Sequence, residues 1–277
     1  MTTAPRRTRL VAGQTAAWLE AGSGPPLVLV HGAGGSADLW QAQLDGLADA
    51  GRLVAPDLPG HGPLGGRGKP SIGAYATWLA GFLAAQDEGR PAVLVGHSMG
   101  GAIAQTLALA EPERLAGLVL VSTGARLRVL ARLVELLRAQ PGEGQRLIRD
   151  LSFAPDAPRE PVELVERALR DGAPLVTLGD YLACDRFDVR ARLAGIRTPT
   201  LVVTGAEDRL TPLRYGRYLA ERIPGARLAE IAGAGHFPQL EQPARVDAAI
   251  REFLADLRGA PTGEPPRPAR RQGGVLR

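Results

Sequence analysis

Short apolar runs alternate with longer amphipathic stretches along this 277-residue chain. The segments Arg9–Val11, Ala16–Glu20, Leu27–His31, Leu53–Pro56, Ala92–Gly96, Leu118–Ser122, Thr200–Thr204 and Arg227–Ile231 predict strands. The central ones (LVLV, AVLVG, LVLVS, TLVVTG) are apolar without a break, the pattern of strands buried on both faces of a parallel sheet. Stretches at 37–50, 72–87, 99–110, 213–223 and 242–257 predict helices between them. This alternation predicts the α/β class, a mostly parallel sheet flanked by helices. The rhythm breaks once. From 126 to 185 no strand is convincing, and Leu127, Leu130, Leu133, Val134 and Leu137 recur at helical spacing among arginines and a glutamate. The organisation expected is therefore a core of residues 1–125 and 186–258, a helical insertion at 126–185, and a Pro/Gly/Arg-rich, disordered basic tail at 259–277.

Composition narrows the function classes. The isoelectric point of about 9.8 invites a nucleic-acid reading, but the charge is segregated. Residues 1–10 and residues 259–277 carry +3 each of the total +4, which leaves residues 11–258 at −2. The body is nearly neutral, and the basic ends read as solvated rather than as a nucleic-acid surface. No apolar run approaches the roughly 18 residues needed to span a bilayer, so no stable membrane insertion is expected. The N-terminal arginines precede no apolar stretch, and no secretory signal is legible. With Cys184 alone there is no internal disulfide, and a cytoplasmic location is expected. Oligomeric state stays open.

Candidate chemistry starts at Gly96-His97-Ser98-Met99-Gly100, a G-x-S-x-G pattern placed after a buried strand and before a helix. Such a turn is tight enough to strain the serine backbone and to exclude side chains at both flanking positions. It aims Ser98 from the strand end, with the Met99 N–H and the helix dipole ready for developing negative charge. A serine hydroxyl needs a base, and the base needs an orienting group. Of the four histidines, His97 must point away from Ser98, while His31 and His61 read as local hydrogen-bonders. His236, in the glycine-rich loop after the last strand, is the expected base. Asp208, in the loop after TLVVTG, is the expected acid, and its neighbour Glu207 reads as a solvated surface residue.

At this point the chain resembles the α/β-hydrolase superfamily over roughly residues 8–257. HGAGG, PDLPGHG, GHSMGG, GAEDRLTP and AGHFPQLEQP stand in the family's order, as does the succession Ser98, Asp208, His236. The resemblance implies an α/β-hydrolase fold with a helical cap at 126–185. It places a second oxyanion donor on the Ala33 N–H, with Gly34 the next choice, beside Met99. It marks Trp40 as an aromatic of the small-substrate branch, with plain core packing as the alternative. The stretch CDRFDVRARLAGIRTPTLVVTG is similar to the cap-to-core return of enol-lactonases, C–C bond hydrolases and small carboxylesterases. The expected function is serine hydrolysis of a small carboxylic ester or lactone through an acyl-enzyme, with no cofactor or metal. The expected pocket draws on Trp40, Leu130, Leu133, Val134 and Leu137, although these leucines could instead pack the cap against itself.

Several readings compete. C–C bond hydrolysis or cofactor-free perhydrolysis would use the same three residues, and a non-catalytic receptor would keep only the fold. Gly32-Ala33-Gly34-Gly35-Ser36-Ala37, with Asp57 beyond, passes as a dinucleotide fingerprint of an NAD-binding oxidoreductase. That reading leaves the Ser98, Asp208 and His236 segments without a use. A P-loop over Gly62–Ser71 fails because prolines occupy its required positions, and the histidines lack metal-ligand spacing.

Overall fold

The structure, a computed structural model, describes residues 4–11, 13–86 and 90–259. Its eight strands are β1 (Arg6–Val11), β2 (Gln14–Gly22), β3 (Pro26–Val30), β4 (Arg52–Pro56), β5 (Ala92–His97), β6 (Leu115–Val121), β7 (Thr200–Gly205) and β8 (Arg227–Ile231). They form one sheet in the order β1-β2-β4-β3-β5-β6-β7-β8. The β1–β2 and β2–β4 pairs are antiparallel, and every later pair is parallel. All eight expected strands are present, most of them longer by a residue or more.

Alternation along the strands divides the core between two faces. Val28, Val30, Leu94, Leu118 and Leu120 belong to one cluster, packed with Leu79 and Phe82 of α2 (Ile72–Gln86), Ile103 and Leu107 of α3 (Met99–Ala110), and Leu219. Leu27, Leu29, Val93, Val95, Val119 and Val121 belong to the other, packed with Leu44 of α1 (Gln41–Gly46) and with Val246, Ile250 and Phe253 from near the C-terminus. The central strands β3, β5, β6 and β7 are apolar and buried almost throughout because helices cover both faces, whereas β1 and β8 at the sheet's margins carry charged residues.

Between β6 and β7 the chain leaves the sheet as four helices, α4 (Ala131–Ala139), α5 (Pro141–Ser152), α6 (Arg159–Asp171) and α7 (Pro174–Asp185). Its two ends meet at a neck, where Arg126 and Asp188 form an isolated antiparallel bridge and the Val189 N–H donates to the Ala125 carbonyl at 2.8 Å. A third apolar cluster holds the insertion down. Leu133, Leu137, Ile148, Phe153, Val165 and Leu169 pack with Leu39, Phe237 and Leu240 of the core. The last helices are α8 (Leu213–Arg222), α9 (Pro238–Glu241) and α10 (Pro243–Gly259). Beyond Gly259, which ends α10, the expected basic tail lies outside the described residues. The helix expected over 37–50 is a 3-10 turn (Ala37–Trp40) followed by the short α1, and the one expected over 242–257 is α10 preceded by α9. Among the described residues, no helix is long and apolar enough to cross a membrane.

Candidate active site

Ser98 lies one residue past β5 and opens α3, with φ 53° and ψ −116°. This left-handed backbone is strained for a residue with a side chain. The flanking glycines are required by space. A Cβ on Gly96 would sit 2.4 Å from the Gly100 carbonyl oxygen, and one on Gly100 would sit 2.3 Å from that of Val30. The Ser98 N–H donates to Val121 at 2.9 Å, and the Thr123 hydroxyl donates to the Ser98 carbonyl at 2.8 Å, fixing the turn against β6.

Three distant segments meet here. His236 Nε2 is 3.0 Å from Ser98 Oγ, and His236 Nδ1 is 2.9 Å from Asp208 Oδ2. Asp208 is buried and fully engaged. It accepts the N–H groups of Leu210 and Thr211 at 2.8 Å each, and the Thr211 hydroxyl at 2.7 Å. Burial alone would raise its carboxyl, but the adjacent His236 and the Thr211 hydrogen bonds outweigh that and hold it at about 2. Glu207 beside it is exposed. His97 makes no hydrogen bond to Ser98 and supports His236 instead: its Nε2 donates to the His236 carbonyl at 2.8 Å. Burial, with the neighbouring His236, holds the His97 ring at about 3, so it stays neutral.

Around Ser98 the donors are backbone. No acceptor among the described residues takes the N–H of Ala33 or of Met99; Met99 follows Ser98 in the chain, and Ala33 lines both spaces that Ser98 lines. The Gly34 N–H is committed. It donates to Asp180 Oδ2 at 3.0 Å, which corrects its standing as second choice for the same task. The arrangement can draw a proton from Ser98 Oγ into a buried carboxylate–imidazole pair and offer two free N–H groups to an oxyanion.

Two buried carboxylates that the sequence reading passed over bind the insertion to this site. Asp180 of α7 accepts the Tyr75 hydroxyl at 2.7 Å, His61 Nε2 at 2.8 Å and the Gly34 N–H. His61 therefore bridges to the insertion rather than acting only locally. Burial alone would lower its pKa, but the Asp180 charge and hydrogen bond raise it. Glu241 Oε1 accepts the N–H of Gly235 at 2.9 Å and of Phe237 at 3.2 Å, and its Oε2 that of Ala154 at 2.9 Å. It pins both sides of His236 to the end of the insertion's second helix. His31 is local as expected. Its Nδ1 donates to the Gly32 carbonyl, and its Nε2 accepts the Leu58 N–H.

A cavity of about 240 Å³ opens on Ser98, with Leu130 and Leu133 in its wall, and a tight recess of about 20 Å³ lies on the Gly32–Gly35 side. The leucine stripe divides. Leu137 is a correction, because it turns into the third apolar cluster, and Val134 is half-buried and lines neither space. Trp40 is a second correction. It is 0 % exposed in the core between the sheet and α1, since the 3-10 turn directs its ring inward. The dinucleotide reading also loses its acid: Asp57 Oδ1 takes the Ala37 N–H at 2.9 Å, and Oδ2 pairs with Arg6. Among the described residues no His/Cys/Asp/Glu group is placed to hold a metal ion.

The chain is similar to known proteins over nearly its whole described length. A thermophilic esterase from Thermogutta terrifontis superposes with a TM-score of 0.83 at 30% identity, covering 92% of this chain and 99% of the other. The enol-lactonase from Burkholderia xenovorans LB400 superposes with a TM-score of 0.81 at 25% identity, covering 90% and 100%. Among curated relatives, the polyketide synthase ThaQ of Burkholderia thailandensis is 34% identical over 92% of this chain, which spans only 13% of that protein's length. Residues 27–249 match the model of the alpha/beta hydrolase family. With its mostly parallel sheet, helical insertion and Ser98 turn, the chain belongs to the alpha/beta hydrolase family.

Proposed function

We propose that the protein is a serine hydrolase of small carboxylic esters or lactones, with Ser98 as nucleophile, His236 as base and Asp208 as the group that orients the base. The observation that carries this reading is the unbroken run of hydrogen bonds from Ser98 Oγ through His236 to Asp208, at 3.0 and 2.9 Å. His236 takes the Ser98 proton as Oγ attacks the carbonyl carbon. The N–H groups of Ala33 and Met99 receive the oxyanion. The tetrahedral intermediate collapses, the alcohol leaves with the proton from His236, and an acyl-enzyme remains. Water then gives up a proton to His236, attacks the acyl carbon and releases the acid. Asp208 holds the imidazole tautomer and stabilises the imidazolium. Leu130 and Leu133 supply apolar wall to the substrate, and the four-helix insertion acts as a cap.

Turnover of p-nitrophenyl esters of increasing chain length and of lactones, with the Ser98→Ala variant beside the parent, tests this. The variant should lose about 10³–10⁶-fold in kcat, keep its Tm, and no longer be labelled by a fluorophosphonate. Retained turnover in Ser98→Ala would overturn the assignment.

A further inference from the structure

The body of the chain is nearly neutral, at −2 over residues 11–258, yet the mouth of the site is not. Arg128, Arg209 and Arg214 line the cavity on Ser98, and an adjoining outer cavity of about 450 Å³ is lined by Arg126, Arg128, Arg190 and Arg214. Arg128, Arg214 and Tyr215 border both. Among the described residues no carboxylate lines either space; behind the walls Asp208 holds Thr211 and His236, Asp185 accepts the Val129 N–H at 3.1 Å, and Asp188 is shared by Arg126 and Arg190. Arg209 is spent on the backbone carbonyls of Asp150 and Phe153. Arg128 and Arg214 have no carboxylate partner among the described residues; the Arg214 guanidinium lies over the Tyr215 ring, 5.3 Å from its centre. Both are exposed, one on the segment leading into the insertion and one in the first turn of α8, so they face the same opening from cap and core.

The two spaces at Ser98 are also unequal. The recess of about 20 Å³ has room for little more than one water-sized group. The larger cavity is walled by leucines and by Arg128, Arg209 and Arg214, and of these Arg128 and Arg214 also border the outer space, which Ser98 does not line. An ester bond held at Ser98 therefore has a small group on one side and, on the other, an apolar chain that runs toward cations. Planar guanidinium groups match carboxylate oxygens in pairs and draw anions to a cleft mouth before they dock.

We propose, resting on the ester-hydrolase reading above, that the substrate carries a carboxylate at the far end of its longer arm and that Arg128 and Arg214 receive it. The same chemistry has two sources: a short-alcohol half-ester of a dicarboxylic acid, or a short acyl ester of an ω-hydroxy acid.

The experiment compares kcat/KM within matched pairs. One arm sets monomethyl esters of straight-chain dicarboxylic acids against methyl esters of monocarboxylic acids of the same length. The other sets acetyl esters of ω-hydroxy acids against alkyl acetates. In at least one arm the anionic member should be preferred about tenfold or more at low ionic strength, and the preference should shrink in about 0.5 M salt, where the screening length is only a few ångströms. The double variant Arg128→Gln/Arg214→Gln should bring the ratio toward one, and Arg128→Lys/Arg214→Lys should restore part of it. Hydrolysis with no charge preference in either arm, or a preference that the glutamine variant leaves intact, would overturn this proposal and leave the ester reading standing. Failure of the folded protein to hydrolyse either member of any pair would overturn both.

Discussion

At the C-terminal edge of the sheet, Ser98, Asp208 and His236 stand one, three and five residues past the ends of β5, β7 and β8. In the insertion, Asp180 reaches its three partners across 105, 119 and 146 residues of sequence, and Ala154 reaches Glu241 across 87. The first region places its groups by local backbone geometry on strands that helices already bury. The second places its groups by long-range polar bonds closed off from water. Such bonds add little net stability when complete and cost a great deal when one partner is removed. A change at the sheet edge should therefore cost rate out of proportion to stability, whereas a change at an insertion anchor should cost both together.

The sharpest test of the first half is Asp208→Asn. It keeps the side-chain shape and misdirects the imidazole, so kcat should fall about 10²–10⁴-fold, far out of proportion to the loss of Tm. Glu207→Gln, one residue away and solvated, should be nearly silent. Because the Asp208 carboxyl is held below its unfolded value, its contribution to stability is complete above about pH 4 and lost as pH falls toward 2. Asp208 should accordingly contribute no break to a pH–rate profile measured above pH 4. A crippled Glu207→Gln would move the acid by one residue.

The second half is tested by Asp180→Ala. This change leaves His61, Tyr75 and the Gly34 N–H without their shared acceptor, and by the cost of unpaired buried groups it should lower stability by about 3–5 kcal/mol. Denaturant unfolding reads the loss. The same change should lower kcat at temperatures where the variant is still folded, because the Gly34 contact steadies the loop that carries Ala33. Tyr75→Phe removes one hydrogen bond and should cost about 1 kcal/mol. Loss of stability with an unaltered kcat would confine Asp180 to holding the insertion in place.

Smaller effects separate wall from packing within one helix. Leu137→Ala, in the third apolar cluster, should cost about 2–5 kcal/mol of stability and leave the ratio of kcat/KM between short and long esters unchanged. Leu133→Ala should cost stability too, since Leu133 belongs to the same cluster, but it should also shift that ratio toward bulkier acyl chains by a few-fold. Equal ratios in the two variants would return Leu133 to packing alone.

These regions also differ in how much the sequence disclosed. The Ser98 segment was legible because its constraint is contained in five residues. Two glycines with no room for a Cβ flank one serine between a strand and a helix. Asp208 was legible because it lies in a short loop after the apolar β7, and His236 because it lies in a glycine-rich loop after the last strand. Thr211 carried a signal that went unused: an aspartate followed three residues later by threonine is a turn in which the carboxylate takes the backbone N–H groups ahead of it. Asp180 and Glu241 look like ordinary acidic positions on helices, and what sets them apart is burial against distant donors, which spacing along the chain does not encode. Trp40 misled because distance from His31 along the chain says nothing of which way a 3-10 turn directs its ring.

The neck where Arg126 meets Asp188 has a consequence for ancestry and engineering. Because the insertion departs and returns through two neighbouring backbones, replacing it asks almost nothing of the sheet, and the entropy of closing a longer or shorter excursion changes only slowly with its length. It is in that sense an exchangeable cassette. The exchange is not free of conditions, because two plugs must still fit their sockets: a carboxylate for the Gly34 N–H, and a backbone N–H for Glu241. A grafted insertion chosen for its pocket but lacking these should fold as a lid over a loosened site, and lineages that traded such cassettes would be expected to carry both plugs along with them.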